Sequence, residues 1–281
     1  MTILGPITFS WLRAIRACWL TESRYPGSEQ MRWSVLLVVI CSRAANAAPE
    51  EIQVYLDEMS DPGTFGLDVH NNYVVSGDPI ADYTGEQQSV HRYRVTPELA
   101  YGVTRYLELG LYLPLATLDR DVRFHVDGVK VRVKFMAPRP SDQHWFWGAN
   151  FEIGGVDREL DINPFNAELK GILGFREGRW IAGFNVNLDF KVEGPASAPP
   201  SLELDTKLGY RVAEKVALGF ESYNGAGETR SLVNFARAQQ STFAIVDASI
   251  GNWDLDLGIG VGYSTNPDEI IAKAIIGVPI D

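Results

Sequence analysis

Between residues 65 and 278 the chain places an apolar side chain at every second position, over and over. The stretch YLELGLYLPLA (106–116) is the plainest case: Leu107, Leu109, Leu111, Leu113 and Leu115 alternate with Glu108, Gly110, Tyr112, Pro114 and Ala116. In a strand, residues two apart share a face, so this segment has one leucine wall and one mixed wall. Comparable alternation starts near Phe65, Tyr93, Leu107, Val129, Trp145, Phe165, Trp180, Leu202, Val216, Ala244, Trp253 and Ile270, which predicts twelve strands. Long helical periodicity is missing. The longest apolar run, WSVLLVVIC (33–41), is too short for a membrane helix of about 20 residues.

Two all-β arrangements share this pattern. A soluble sandwich or lipocalin-like barrel turns the apolar face inward and must close-pack it. A membrane barrel turns it outward. Three features favour the second. The polar face carries Gly110, Gly148, Gly174, Gly183, Gly209, Gly219, Gly258, Gly260 and Gly262, and strand glycines mark places where large groups approach closely. Links after even-numbered strands are mostly short, such as 102–105, 176–178 and 251–252, whereas several after odd-numbered strands are long, such as 76–88, 118–128 and 224–239. Tyr101, Tyr106, Trp145, Phe175, Trp180, Tyr210 and Trp253 gather at the short-turn side, as an interfacial girdle does. The predicted fold is a single transmembrane, antiparallel, up-and-down β-barrel of about twelve strands. Its leucines face lipid, and Glu108 and Tyr112 face the lumen. First and last strands must pair, because backbone at bilayer depth has to be bonded internally. Both termini are expected on the short-turn side, and a bulge or strand end near Pro97 and Pro114.

The start of the chain reads differently. Met31, Arg32, the apolar run and Ala45-Asn46-Ala47 have the layout of a secretory signal. The expected organisation is therefore an upstream extension at 1–30 from an early start codon, a signal peptide at 31–47 and an outer-membrane barrel at 48–281. Removing 1–47 removes both cysteines, Cys18 and Cys41, and with them disulfides, thiolate metal sites and cysteine nucleophiles. It also removes five arginines and two acidic residues from totals of 25 and 36, leaving 20 basic against 34 acidic side chains, a formal charge of −14. Such a surface does not suit nucleic acid.

DEMSDPGTFGLDVHNNY (57–73), VTPELAYGVTRYLELGLYLP (95–114) and the closing GVPI (277–280) resemble a group of bacterial outer-membrane barrels associated with meta-pathway phenol degradation. The resemblance spans about 51–281 and rests on strand-like motifs of low specificity. It implies a transporter-like barrel in the bacterial outer membrane, passing hydrophobic or aromatic compounds, and it carries no catalytic residue. The chain departs from the common aromatic ending by finishing Pro279-Ile280-Asp281.

Catalytic and metal spacings are not found among His70, His91, His125 and His144. His70, beside Asn71 and Asn72, is the best-placed catalytic candidate, but a polar lumen residue is the simpler reading. Gly258-x-Gly260-x-Gly262 lies in a strand pattern with no helix after it, so it is no nucleotide cradle. No enzyme activity, metal or cofactor is expected. The informative constellation is the set of inward charges: Arg92, Arg94, Glu98, Glu108, Lys130, Arg132, Lys134, Glu152, Glu168, Lys170, Glu203, Asp205, Lys207, Asp254 and Asp256. Buried charges persist only when paired or solvated, so these either pair across a partly filled barrel, the reading adopted, or line an open pore. The leading function is a passive channel for small molecules. The alternative is a structural or interaction barrel whose acidic loops (Asp119, Asp121, Asp157, Glu159, Asp161, Asp268, Glu269) engage a partner or divalent ions; a lipid hydrolase ranks third. Expected partners are outer-membrane lipid, lipopolysaccharide and a small solute, and the sequence leaves oligomeric state open. In the loop 224–239, Leu232, Phe235 and Ala236 with Arg230 and Arg237 form an amphipathic piece able to fold over the mouth, its arginines near Glu221; a mobile surface loop is the equal alternative.

Overall fold

The computed structural model describes residues 51–281 apart from Asp82, Pro114, Leu115, 119–123, Ala196, Ser197, Pro279 and Asp281. The extension at 1–30 with Cys18, the signal segment with Cys41, Asp119 and Asp121, and two of the three closing residues lie outside the described residues.

The strands are β1 Phe65–Gly77, β2 Tyr93–Thr104, β3 Leu107–Tyr112, β4 Ala116–Leu118, β5 Phe124–His125, β6 Gly128–Met136, β7 Trp145–Val156, β8 Phe165–Glu177, β9 Trp180–Glu193, β10 Ser201–Ala213, β11 Val216–Glu228, β12 Ser231–Leu232, β13 Gln239–Ile250, β14 Trp253–Ser264 and β15 Asp268–Val278. Twelve of them are the staves of an antiparallel barrel. Of the other three, β4 prolongs the line of β3 beside β2, β5 pairs with β4, and β12 folds back on the outer end of β11. β1 pairs with both β2 and β15, which closes the sheet. Among the described residues no helix is long and apolar enough to cross a membrane; the strands do the crossing.

The predicted face assignment follows the pleat. Val131, Leu169, Leu257 and Ile259 are 50%, 42%, 42% and 63% exposed on the outer wall, while Glu98, Arg132, Asn185 and Lys273 between such positions are buried. At the short-turn end Phe65 packs at a tilt against Tyr101, Trp145 likewise against Phe175, and Trp180 edge-on against Tyr210, each pair with ring centroids 4.8 Å apart. These paired rings make the girdle that the sequence places there.

Pro97 produces no bulge of its own: β1 and β2 stay in register through Val69↔Pro97. The reason is direction. Its carbonyl accepts the Leu113 N–H at 2.9 Å, and in an antiparallel strand the N and C=O of one residue face the same neighbour. The missing donor of Pro97 therefore falls where the neighbouring stave breaks between β3 and β4, at the strand end predicted there.

Candidate functional site

The first strand starts and the last strand ends at the short-turn side, as expected. The described chain before β1, however, turns back into the barrel. Residues 51–60 cross the lumen, and Ile52, Val54, Tyr55 and Leu56 are buried there. Ile52 packs with Phe243, Ile245 and Ile271 on the β13–β15 wall. Tyr55 and Leu56 pack with Met136, Phe146, Ile172 and Ile181 on the β6–β9 wall. Full burial of such a side chain contributes about 1.5–3 kcal/mol, so the segment is anchored at both walls.

Backbone groups in this crossing have to be bonded, and lumen side chains do it. The Tyr55 N–H donates to Asn185 Oδ1 (2.7 Å), and Asn185 Nδ2 donates back to the Tyr55 carbonyl (2.9 Å). Lys273 Nζ donates to the Ile52 carbonyl (3.2 Å), Lys134 Nζ to the Glu58 carbonyl (2.7 Å) and the Ser60 N–H to Glu108 (2.5 Å). The Tyr55 hydroxyl bonds Tyr112 and reaches Glu152 at 3.3 Å. At the short-turn mouth Asp57 accepts from Arg176 (2.6 Å) and Arg139 (2.5 Å), and Arg176 also holds Glu58. A Cβ on Gly183 would collide with Leu56, so this lumen glycine makes room for the crossing.

The fifteen candidate charges fall into groups around this segment. Arg132 bridges Glu98 (Nε to Oε1, 2.5 Å) and Glu108 (2.8 Å), lying across Gly110. Glu98 Oε2 is 3.1 Å from His70 Nε2. Lys207 meets Glu221, Asp247 and Asp256 at 3.0–3.1 Å, and Lys273 pairs with Glu221 and, at 3.1 Å, with Asp256. Lys170 pairs with Glu168 at 3.2 Å, and Asn187 donates to Asp205 at 2.6 Å. Glu152 and Glu168 are register partners, with Glu203 nearby on β10 opposite Asn187. Arg92 donates to the Gln87 carbonyl (2.7 Å), and Arg94 and Lys130 line the outer cavity. Asp254 alone of the fifteen is exposed, accepting from Ser249 (2.7 Å) at the short-turn end. Lys273 and Asp247, absent from the sequence-derived set, belong to the central network; both sit at inward parity, which is the signal that could have found them.

Two cavities flank the crossing, about 260 Å³ toward the long loops and about 1000 Å³ toward the short turns, and Gln53 lines both. Glu51, Glu152, Asp161, Glu168, Asp189, Glu203, Asp205 and Asp268 line the outer one against Arg94, Lys130, Lys170 and Lys191. Carboxylates outnumber cations there two to one.

Of the two readings of the loop 224–239, the exposed surface loop is the one seen. β11 runs on to Glu228, and residues 231–237 are exposed around a single 3₁₀ turn at Phe235–Arg237. Arg230 and Arg237 are exposed as well, and Glu221 is already held by Lys207 and Lys273. Hydrogen bonding within a β-extension has displaced the amphipathic turn. The acidic loop residues have local roles: Asp157 and Asp161 accept the N–H groups of Glu159 (2.9 Å) and Asn163 (2.8 Å), Asp268 accepts from Ser89, and Glu269 accepts from Ser76 (2.7 Å). Above the mouth the Tyr83 hydroxyl donates to the Arg158 carbonyl (2.8 Å). Burial, with Glu86 and Asp161 nearby, holds that phenol above its ordinary range. His70 has a carboxylate, Glu98, as its hydrogen-bond partner rather than a hydroxyl nucleophile.

No family model matches the chain, and no curated protein matches it in sequence. Solved structures do match. The KdgM porin aligns with a TM-score of 0.52 at 9% identity, over 77% of this chain and 99% of that one. The NanC porin aligns with a TM-score of 0.50 at 12% identity, over 76% of this chain and 99% of that one. At such identities the likeness concerns the fold: this chain has the barrel architecture of outer-membrane porins.

Proposed function

We propose that this protein is a passive outer-membrane channel for small molecules whose lumen is narrowed by its own N-terminal segment. The observation that carries the reading is the pair of cavities on either side of the 51–60 crossing inside a closed, lipid-faced barrel. The surplus of carboxylates in the outer cavity favours neutral or cationic solutes over anions, because a charged lining in low-dielectric walls concentrates counter-ions. Small aromatic solutes fit the resemblance to the phenol-degradation group, and Tyr55, Tyr112, Tyr223 and Phe243 supply rings at the two cavities. The barrel sits among outer-membrane lipid and lipopolysaccharide; nucleic acid plays no part.

The structural or interaction barrel draws on one specific observation, the many anchors of the crossing, which suit a permanently closed lumen. Planar-bilayer recording of the purified protein separates the two. Steady or flickering conductance, with cations preferred, supports the channel; silence in repeated insertions, including after residues 51–60 are removed, supports the structural barrel.

A further inference from the structure

We propose that Glu51, His70 and Glu98 form a binding site for a divalent transition-metal ion that ties the N-terminal segment to the barrel wall. Each of the three offers a ligand atom within 4.8 Å of the other two. They come from three places in the fold: the start of the crossing, β1 and β2. Ligand atoms about 2.0–2.2 Å from a zinc ion stand about 3.3–3.6 Å apart in a tetrahedral set, so a small contraction completes the site. The edge between His70 Nε2 and Glu98 Oε2 is already 3.1 Å.

A second observation points to the ligand. His70 is 1% exposed, and its Nδ1 is buried with no hydrogen-bond partner; Glu51 Oε1 is buried in the same condition. An ion that replaces the proton shared by Nε2 and Glu98 Oε2 takes Nε2 as its nitrogen ligand. Glu51 Oε1, a buried acceptor that lacks a donor, is satisfied by the same cation as the third ligand. Two further carboxylates and one guanidinium stand beside the site. Asp68, the register partner of Glu98, lines the inner cavity beside Glu98 and Glu108, and Arg132 fixes the other oxygen of Glu98. One imidazole with carboxylates suits zinc, cobalt or manganese better than calcium or magnesium, which take oxygen ligands.

Position gives the site its consequence. Glu51 lines the outer cavity and Glu98 the inner one, so the ion would lie beside the junction and hold the crossing in place. That consequence rests on the channel reading; binding itself does not.

The test uses protein purified from membranes in detergent, stripped with a chelator and titrated with Co²⁺ and Zn²⁺. Expected are one equivalent per chain by calorimetry, a visible Co²⁺ absorption band with a nitrogen ligand, and at least a tenfold weakening in both His70→Ala and Glu51→Gln. Glu51→Gln lies outside the strands, so it reports even if the wall variant folds poorly. Absence of binding overturns the site, as does binding unchanged in both variants. Binding lost in His70→Ala but kept in Glu51→Gln would put the ion on the wall alone and overturn the tie. Bilayer silence with normal Co²⁺ binding would count against the channel and leave the site standing.

Discussion

Leu111 and Gly110 are adjacent in β3 yet face different solvents, and each sets a different cost for substitution. Leu111→Arg places a charge against lipid near mid-strand, and is expected to destabilise the barrel by about 2–4 kcal/mol, read as an earlier midpoint in denaturant unfolding from lipid vesicles. On parity alone Gly110→Ala would be mild. The structure changes that expectation, because a Cβ there would stand 2.6 Å from Arg132 Nε and 3.0 Å from its Cδ. Displacing Arg132 frees Glu98 and Glu108 together, and leaving buried acceptors unpaired costs about 1–3 kcal/mol. An unfolding midpoint equal to wild type would mean that Arg132 re-seats without loss. Lys273→Met is a third test at this scale. It strips a donor from Glu221, Asp256 and the Ile52 carbonyl; breaking a buried pair costs about 3–5 kcal/mol, and Lys207, still on Glu221, keeps the expected loss near the lower end. A loss below the range for surface pairs would show that water already screens this network.

At the scale of elements, the segment inside the lumen is the 51–60 crossing, to which the sequence pattern assigns no role, and not the outer loop. Deleting residues 51–60 is expected to raise single-channel conductance several-fold while the protein still migrates as a heat-modifiable folded barrel in gels. Shortening the exposed stretch between Thr229 and Ala238 is expected to leave conductance unchanged. The reverse pair of results would restore the loop as the constriction. The strands were legible because alternation over ten or more residues reports a two-faced sheet directly, and the lumen faces of Glu98, Arg132 and Lys207 came with the same parity. The plug was not. IQVYL (52–56) alternates like a short strand, yet it pairs with no stave, and its partners Asn185 and Lys273 lie far away in sequence. The Glu51–His70–Glu98 grouping escaped for the same reason, since motif spacing detects ligands within one element and these come from three.

For the molecule as a whole, the decisive property is the sign of the field in the lumen. Residues 48–281 are strongly acidic, but bulk charge on exposed loops is screened within a Debye length of about 8 Å at physiological salt and says little about the pore. The outer cavity says more, because its surplus carboxylates stand inside a wall of strands and lipid where screening is weak. Around Lys170, the groups Glu168, Asp189, Glu203 and Asp205 place four acids near one base. Under a salt gradient the reversal potential is therefore expected on the cation-selective side. Neutralising Glu203 and Asp205 together, as Glu203→Gln with Asp205→Asn, should move it toward zero while leaving Lys207 and Lys273 with their carboxylates and the barrel folded. Raising the salt tenfold should shrink the difference between the variant and the wild type, since the effect is electrostatic. An anion-selective wild type, or a variant whose reversal potential does not move, would place the selectivity elsewhere, with the basic groups Arg94 and Lys130 at the same cavity as the first to test.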